Sequence, residues 1–441
     1  MKTWKKWTYG WGNFANTVAQ QVFNNRIQFY YIDVLGLNAA LAGVIWFLFG
    51  LWNAINDPLM GNLSDRTRTR MGRRVPYILF GAIPLGLSFF FLWTPPKDPL
   101  WLTAIYFFVL LFIFDTLYTV VIMAYNALFT ELASDLKDRS SLAAVREGLA
   151  VIALLLAFVL APILSEELGF VPMGIVIGAF VTVGYLVSVI GVKENPEHMT
   201  GKSMPMWESL KISLSSRPFR WYILANLAKE YLFIILPATL PFWRKYALRI
   251  TTESEVFGVM MGPGDQEAIL LAVPFLLTVP LLAIWNRVTP RIGVQRAWLY
   301  SFLFFIPGLL VITLADGFYT GLLGTTLITP GLSGMMMLPI VMLTEVIDDD
   351  ARQSGERREG IYFGMSAGII KIAFSFQGIL YSIVFTISGY VAGADVQSAS
   401  AVWGIRFLIG VSPLLACLLG ALALRRYPIR FGDKGRAGVA A

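Results

Sequence analysis

Apolar residues come along this chain in long runs broken by short polar stretches, and that alternation sets the expected architecture. A bilayer's hydrocarbon core takes about 20 residues of helix to cross. On that length the runs predict spans near 11–32, 39–63, 75–94, 100–128, 141–165 and 170–191. The pattern pauses over 193–220, which is polar and basic apart from an amphipathic stretch, MWESLKISL. Six further spans follow near 221–243, 266–285, 297–315, 318–343, 360–389 and 400–424. The expectation is an all-α membrane protein with twelve transmembrane helices in two six-helix bundles. The first bundle occupies 1–192, a central cytoplasmic loop 193–220, and the second bundle with its tail 221–441.

Composition agrees with lipid as the solvent. The chain is 56% apolar and only 14% charged, too few charges to coat a soluble globule of 441 residues. Its net charge of +7 does not point to nucleic acid, because the basic residues fall in short clusters between apolar runs and form no continuous basic face. They follow membrane topology instead. Lys2, Lys5 and Lys6, the five arginines from Arg66 to Arg74, and the clusters at 287–296 and 425–436 all fall on one side, whereas the other side holds Lys97, Arg244, Lys245 and Arg249. Basic loops stay inside, so both termini are expected in the cytoplasm and the protein in the cell membrane. MKTWKKW is basic but lacks the short apolar core and small-residue cleavage site of a secretory signal. The single cysteine, Cys417, has no partner within the chain, and the single histidine, His198, sits in a hydrophilic loop. No cofactor or metal is expected.

The two halves echo each other. Asp65-Arg66-xxx-Arg70-x-Gly72 after the second span recurs as Asn286-Arg287-xxx-Arg291-x-Gly293 after the eighth. Thr130-Glu131 followed by Arg146-Glu147-Gly148 recurs as Thr344-Glu345 followed by Arg358-Glu359-Gly360. Repeated six-span halves are the mark of a carrier that rocks two bundles about a site near the membrane midplane. An enzyme is not expected: there is no Cys/His cluster, and Asp65-Arg66 reads as a gate motif, not a phosphate cradle.

Asn56-Asp57-Pro58-x-x-Gly61-xxx-Asp65-Arg66-Thr67, with Gly72-Arg73 and Pro76-Tyr77, resembles the helix 2 and loop 2/3 signature of the glycoside-pentoside-hexuronide:cation symporters, a branch of the major facilitator superfamily. Glu345-xx-Asp348, Gly355-x-Arg357-x-Glu359-Gly360 and Lys371 are similar to that family's loop 10/11 and helix 11 pattern. Tyr9-Gly10-x-Gly12, Tyr30-Tyr31-x-Asp33 and Asn126-Ala127-Leu128-xx-Glu131 match further blocks, so the resemblance spans nearly the whole chain. It implies the major facilitator fold and cation-coupled uptake of a sugar, glycoside or hexuronide, with H⁺ or Na⁺ as coupling ion. By that resemblance Asp57 and Thr119 fall at the cation site, and Arg146 and Lys371 at the substrate site. The chain also departs from the family. Asn53 stands where sodium-coupled members carry an acid, and Thr17 and Ile122 stand where galactoside carriers have carboxylates.

The residues support part of this on their own. An acid such as Asp57 inside a span costs about 2.5–3.5 kcal/mol, so it faces protein or water and usually serves a pathway. Asn53, Asp57 and Gly61 share one helix face, with Asn56 beside them. Asp57 is therefore expected to bind the coupling ion with Asn53, Asn56 and Thr119. The competing reading makes it a structural partner of an arginine. Because Asn53 offers only a neutral oxygen, one anionic ligand fewer is left for Na⁺, which favours H⁺. On the first span Asn13, Thr17, Gln20, Asn24 and Gln28 recur at three or four and predict a polar wall of a cavity, of the mixed amide and aromatic kind that sugars use.

Substrate contacts are expected from Thr17, Gln20, Asn24, Arg26, Asn126, Arg146 and Lys371. With Arg26 and Lys371 both on the cavity, an anionic substrate follows; with Arg26 snorkelling to the surface, it does not. Asp65, Arg66, Arg73, Glu131 and Arg139 in one half and Glu345, Asp348, Arg357 and Glu359 in the other are expected to gate the inner mouth. Lys229, Glu230 and Asp115 stay unassigned. The partners expected are a small-molecule substrate and the bilayer, with the chain a monomer and no nucleic acid bound. The alternatives are a lysolipid or other anionic-amphiphile symporter, and a non-transporting receptor on a carrier fold.

Overall fold

The computed structural model describes residues 2–66, 69, 71–132, 136–192, 206–356 and 358–429, apart from the side chains of 58, 61–66, 130–131, 136–137, 139–140, 206–207, 209–210, 370 and 372. Fifteen helices carry almost all of it. In the first half these are α1 Thr3–Phe29, α2 Ala39–Arg66, α3 Val75–Phe91, α4 Leu100–Leu132, α5 Leu136–Glu167 and α6 Phe170–Ser188. The short α7 Met206–Ser215 falls on the amphipathic stretch, and α8 Arg217–Phe242 follows. A hairpin of β1 Ser254–Val256 and β2 Val259–Met261 precedes α9 Pro263–Ile292 and α10 Val294–Leu314. Then come α11 Phe318–Leu327, α12 Thr329–Ser354, α13 Glu359–Ser388, α14 Ala399–Arg406 and α15 Ser412–Arg425.

Among the described residues, ten helical stretches are long and apolar enough to cross a membrane. Val75–Phe91 is apolar but shorter, and α1 is long but carries the polar stripe. The expected span over 318–343 is broken at Ile328 between α11 and α12, where Pro330 in the first turn of α12 lacks an N–H to continue the ladder. The hairpin was not expected. It forms because Phe257 (φ 54°) and Gly258 (φ 80°) both adopt the left-handed conformation that a two-residue hairpin turn needs.

Two compact units divide the chain. Unit 1 takes the residues up to 201 with 253–268 and 392–394; unit 2 takes 202–252, 269–391 and 395 onward. In unit 1, α1 packs on α5 and α6, α3 on α4 and α6, and α2 on α4. In unit 2, α8 packs on α13 and α15, and α10 on α12 and α15. The internal repeat is also written in the backbone. α1 leaves through a π-helical turn, Tyr30–Val34, and α8 through another, Trp243–Ala247. Each exit closes with two matching bonds: Leu35 N–H to Tyr30 O (2.9 Å) and Leu37 N–H to Tyr31 O (3.0 Å), then Leu248 N–H to Trp243 O (2.9 Å) and Ile250 N–H to Arg244 O (3.0 Å). A left-handed residue sits at the equivalent place in both, Gly36 (φ 78°) and Arg249 (φ 58°). The Arg249 turn is held by the Arg244 guanidinium, which donates to the Ile250 carbonyl at 2.7 Å.

α3 and α6 meet backbone to backbone. A Cβ on Gly178 would fall 2.5 Å from the Gly86 carbonyl oxygen, and one on Gly86 would fall 2.5 Å from that of Gly178. Small residues at such crossings let membrane helices approach closely. Gly178→Val is therefore expected to destabilise the detergent-solubilised protein by about 1–3 kcal/mol through overpacking, read as a lowered unfolding midpoint; an unchanged midpoint would refute this contact.

Candidate cation and substrate site

The core of the site is a cluster of carboxylates, amides and hydroxyls where α2 meets α4. On α2 the three- and four-residue spacing of Asn53, Asn56 and Asp57 puts them on adjoining positions facing α4. From α4, Asp115, Thr116 and Thr119 project back at the same spacing. The Thr119 hydroxyl donates to Asp57 Oδ1 at 3.2 Å. Asp115, left unassigned by the sequence, is the hub. The Asn53 amide donates to its Oδ1, and Asn56 Nδ2 donates to its Oδ2 at 3.0 Å and to its carbonyl at 3.1 Å. Next to them, the Trp52 indole donates to Thr116 Oγ1 at 3.2 Å. Asp115 is 2% exposed and Asn56 fully covered, yet Asn56 Oδ1 accepts no hydrogen bond among the described residues. A buried acceptor without a donor is costly and suits an oxygen that meets a cation. Asp57, Asn53, Asn56 and Thr119 lie together where α2 meets α4, with a second carboxylate, Asp115, that the sequence left unassigned. The available signal was an ionisable residue in a span with Thr119 four residues on, one face of one helix.

The polar wall of α1 is open only in its middle. Asn13 is buried and donates to the Arg146 carbonyl at 3.2 Å, and Gln28 is buried too. Thr17 is half-exposed and donates to the Asn13 carbonyl at 2.9 Å. Gln20 and Asn24 are half-exposed and make no side-chain hydrogen bond to a described residue; Asn126 on α4 is exposed and equally open. Arg146 on α5 lies 5.9 Å from the Tyr125 ring centre and 5.6 Å from that of Phe129, with its Nε 3.6 Å from Glu147 Oε1. Those rings are fixed from behind: Tyr9 and Tyr125 stack at 4.4 Å, and each hydroxyl donates to the other residue's carbonyl at 2.7 Å. Amides, an aromatic plane and a cation are thereby held on the α1, α4 and α5 surfaces of unit 1.

Arg26 is not on that wall. It is fully covered and paired with Glu267 in the first turns of α9, Nη2 to Oε1 at 2.9 Å, so it neither contacts a cavity nor snorkels. The other outlying piece of unit 1 is held similarly, the Gly393 N–H donating to Asp33 Oδ1 at 3.4 Å. Lys371 is half-buried on α13 in unit 2. Lys229 pairs with its neighbour Glu230 at 2.6 Å and lies 4.7 Å from the Phe233 ring centre.

Among the gate candidates, Arg73 is half-buried, as is Glu345, whereas Asp348 and Glu359 are exposed. The side chains of Asp65, Arg66, Glu131 and Arg139, and all of Arg357, lie outside the described residues, as does His198. Beside Glu359, Arg358 bonds Glu356 at 2.9 Å. At the start of α5, Asp138 takes a 2.6 Å hydrogen bond from Lys6 of α1, and this bond holds its carboxyl down to about 2.

A family model described as MFS/sugar transport protein matches residues 8–430. The chain belongs to that family. It is 25% identical to the isoprimeverose transporter of Lactiplantibacillus pentosus, over 96% of this chain and 88% of the relative. It is also 23% identical to the sodium-dependent lysophosphatidylcholine symporter 1-A of Danio rerio, over 97% of this chain and 86% of the relative. Among solved structures, a bacterial homologue of the human lysosomal transporter Spinster superposes with a TM-score of 0.71 at 15% identity, covering 96% of this chain and 97% of the other. The fold is that of the major facilitator superfamily, and the resemblance drawn from the helix 2 and loop 10/11 motifs holds. The protein is a multi-pass membrane transporter whose relatives include an isoprimeverose transporter and a lysophosphatidylcholine symporter.

Proposed function

We propose that this protein is a sodium-coupled symporter of a neutral sugar or glycoside, working by alternating access with both termini in the cytoplasm. The observation that carries the reading is the α2–α4 cluster, in which Asp57 and Asp115 stand with Thr119 and the unbonded Asn56 Oδ1. The preference for H⁺ rested on the neutral Asn53; Asp115 restores the second anionic oxygen group from the facing helix. Two carboxylates with neutral oxygens form a donor set for a hard cation, and a monovalent ion between them offsets charge that a membrane interior disfavours. On the substrate side, pairing of Arg26 with Glu267 removes one of the two cations that argued for an anionic ligand. What remains around Gln20, Asn24, Asn126 and the Tyr125–Arg146 surface is hydrogen-bonding and aromatic with one guanidinium already beside Glu147, which suits hydroxyl groups and the apolar face of a sugar.

The test is a counterflow and uptake panel in proteoliposomes, with neutral glycosides, uronides and lysolipids, at two pH values and with or without Na⁺. A neutral glycoside concentrated by an inward Na⁺ gradient is the expected result. Uptake driven by a proton gradient and indifferent to Na⁺ would return the coupling ion to H⁺, and flux of lysolipids alone would return the substrate to the amphiphile class, which the Danio rerio relative's name supports. Binding without flux would make it a receptor.

A further inference from the structure

Unit 2 carries a groove of about 640 Å³ that the transport reading does not use. α8 lines one side of it, and α13 and α15, both packed on α8, supply most of the rest, with Phe407 ahead of α15 and Arg426 just past its end. Trp221, Leu224, Leu227 and Tyr231 on α8 recur at three or four and lie on one face. Leu224, Phe376 and Leu419 are more than half exposed, so the lining is open to the surroundings of the helices and apolar. The polar groups in its lining are spent on each other: the Tyr231 and Ser412 hydroxyls pair at 2.6 Å. A sugar would find nothing to bond there.

One end of the groove is different. Arg426 lines it, with its guanidinium 5.7 Å from the Trp221 ring centre. Arg217 and Arg220 in the opening turns of α8 and Arg425 at the end of α15 are exposed nearby along the chain, and none of these four arginines is ion-paired among the described residues. The distribution of basic loops assigns this end to the cytoplasmic face. The α8 side from Trp221 to Tyr231 rises about 15 Å at 1.5 Å per residue, half of the roughly 30 Å hydrocarbon core. An apolar channel one leaflet deep, ending at an unpaired arginine at headgroup level, matches one occupant in both shape and charge.

We propose that this groove binds an anionic phospholipid of the cytoplasmic leaflet, an acyl chain lying along Leu224, Leu227, Phe376 and Leu419 and the phosphate meeting Arg426. A zwitterionic lipid gains the same apolar contact without net attraction to the arginines. Each basic side chain near a membrane surface draws an anionic headgroup by an amount equivalent to about fivefold in binding.

The experiment is native mass spectrometry of the purified full chain, delipidated and then exposed to equimolar phosphatidylglycerol and phosphatidylethanolamine. The unaltered protein is expected to retain phosphatidylglycerol at least about fivefold over phosphatidylethanolamine, with the preference falling as salt is raised. Arg426→Gln should lower the ratio about fivefold, and Leu419→Trp, which fills the groove, should lower retention of both lipids. Equal retention by the unaltered chain, a preference indifferent to salt, or a full preference in Arg426→Gln would each overturn the proposal. The salt series needs no variant, so the result stands even if a substitution prevents assembly.

Discussion

Asp115→Asn is expected to cut sodium-driven concentrative uptake about a hundredfold while leaving a folded protein. The substitution conserves volume and leaves one side-chain acceptor oxygen for the Asn53 amide, while Asn56 keeps its bond to the residue 115 backbone carbonyl. It removes a negative charge from a site that is 2% exposed, where water cannot make good the loss. Truncating one member of a buried, hydrogen-bonded charge set costs about 2–5 kcal/mol, and a hundredfold corresponds to about 2.7 kcal/mol in affinity for the ion.

A purely structural role for Asp115 predicts something else: a lowered unfolding midpoint with the sodium half-saturation unmoved. The decisive variant moves the charge back across the helix pair. Asn53→Asp combined with Asp115→Asn keeps two carboxylates beside Thr119, and its sodium response should return to within about tenfold of the unaltered protein. Asn53→Asp alone adds a third acid, and like charges in one site resist joint ionisation, so that variant should be the more pH-sensitive of the two. Full sodium stimulation in Asp115→Asn beside its loss in Asp57→Asn would leave Asp57 as the sole coupling acid.

What could be read from residue order alone divides along a physical line. Helices were legible because a bilayer imposes one length and one polarity on every span, and even the polar α1 showed itself through a three- and four-residue repeat. Asp57 and Thr119 could be singled out as candidates because the resemblance places them at a cation site, and for Asp57 because an acid in an apolar run is conspicuous. Asp115 is equally conspicuous, but its meaning lies in bonds from Asn53 and Asn56 on another helix, and no pattern within 100–132 encodes them. The π-helical exits at Tyr30–Val34 and Trp243–Ala247 were hidden for a related reason. They add one residue to a turn without changing the apolar pattern, and only their matching bonds show the two exits to be equivalent.

Arg26 shows the same limit with a larger consequence: reading it as a substrate contact or a snorkelling side chain exhausted the local options, while its partner, Glu267, lies in the other half of the sequence. Both side chains are 0% exposed and 2.9 Å apart. Glu267→Gln is accordingly expected to destabilise the protein by about 3–5 kcal/mol, because it removes a carboxylate that faces a fully buried guanidinium. Arg26→Met should cost a similar amount by removing the guanidinium that faces the buried carboxylate. The double variant Arg26→Met with Glu267→Leu removes both charges and should recover most of the loss, since burying an ion pair is itself expensive and apolar replacements of similar volume often match it. Unfolding midpoints of the four proteins in detergent complete the cycle.

Arg26 and Glu267 both belong to unit 1, so the pair holds the first turns of α9 to α1 within that unit. A loss in the single variants confined to stability, and restored in the double, makes the pair a fastening of fold. Melting restored in the double variant with transport still impaired makes the charges themselves part of the cycle, opened and re-formed as α9 moves. Single-variant costs below about 1 kcal/mol, the range of a solvated surface pair, would contradict burial of the two groups and return Arg26 to the cavity wall.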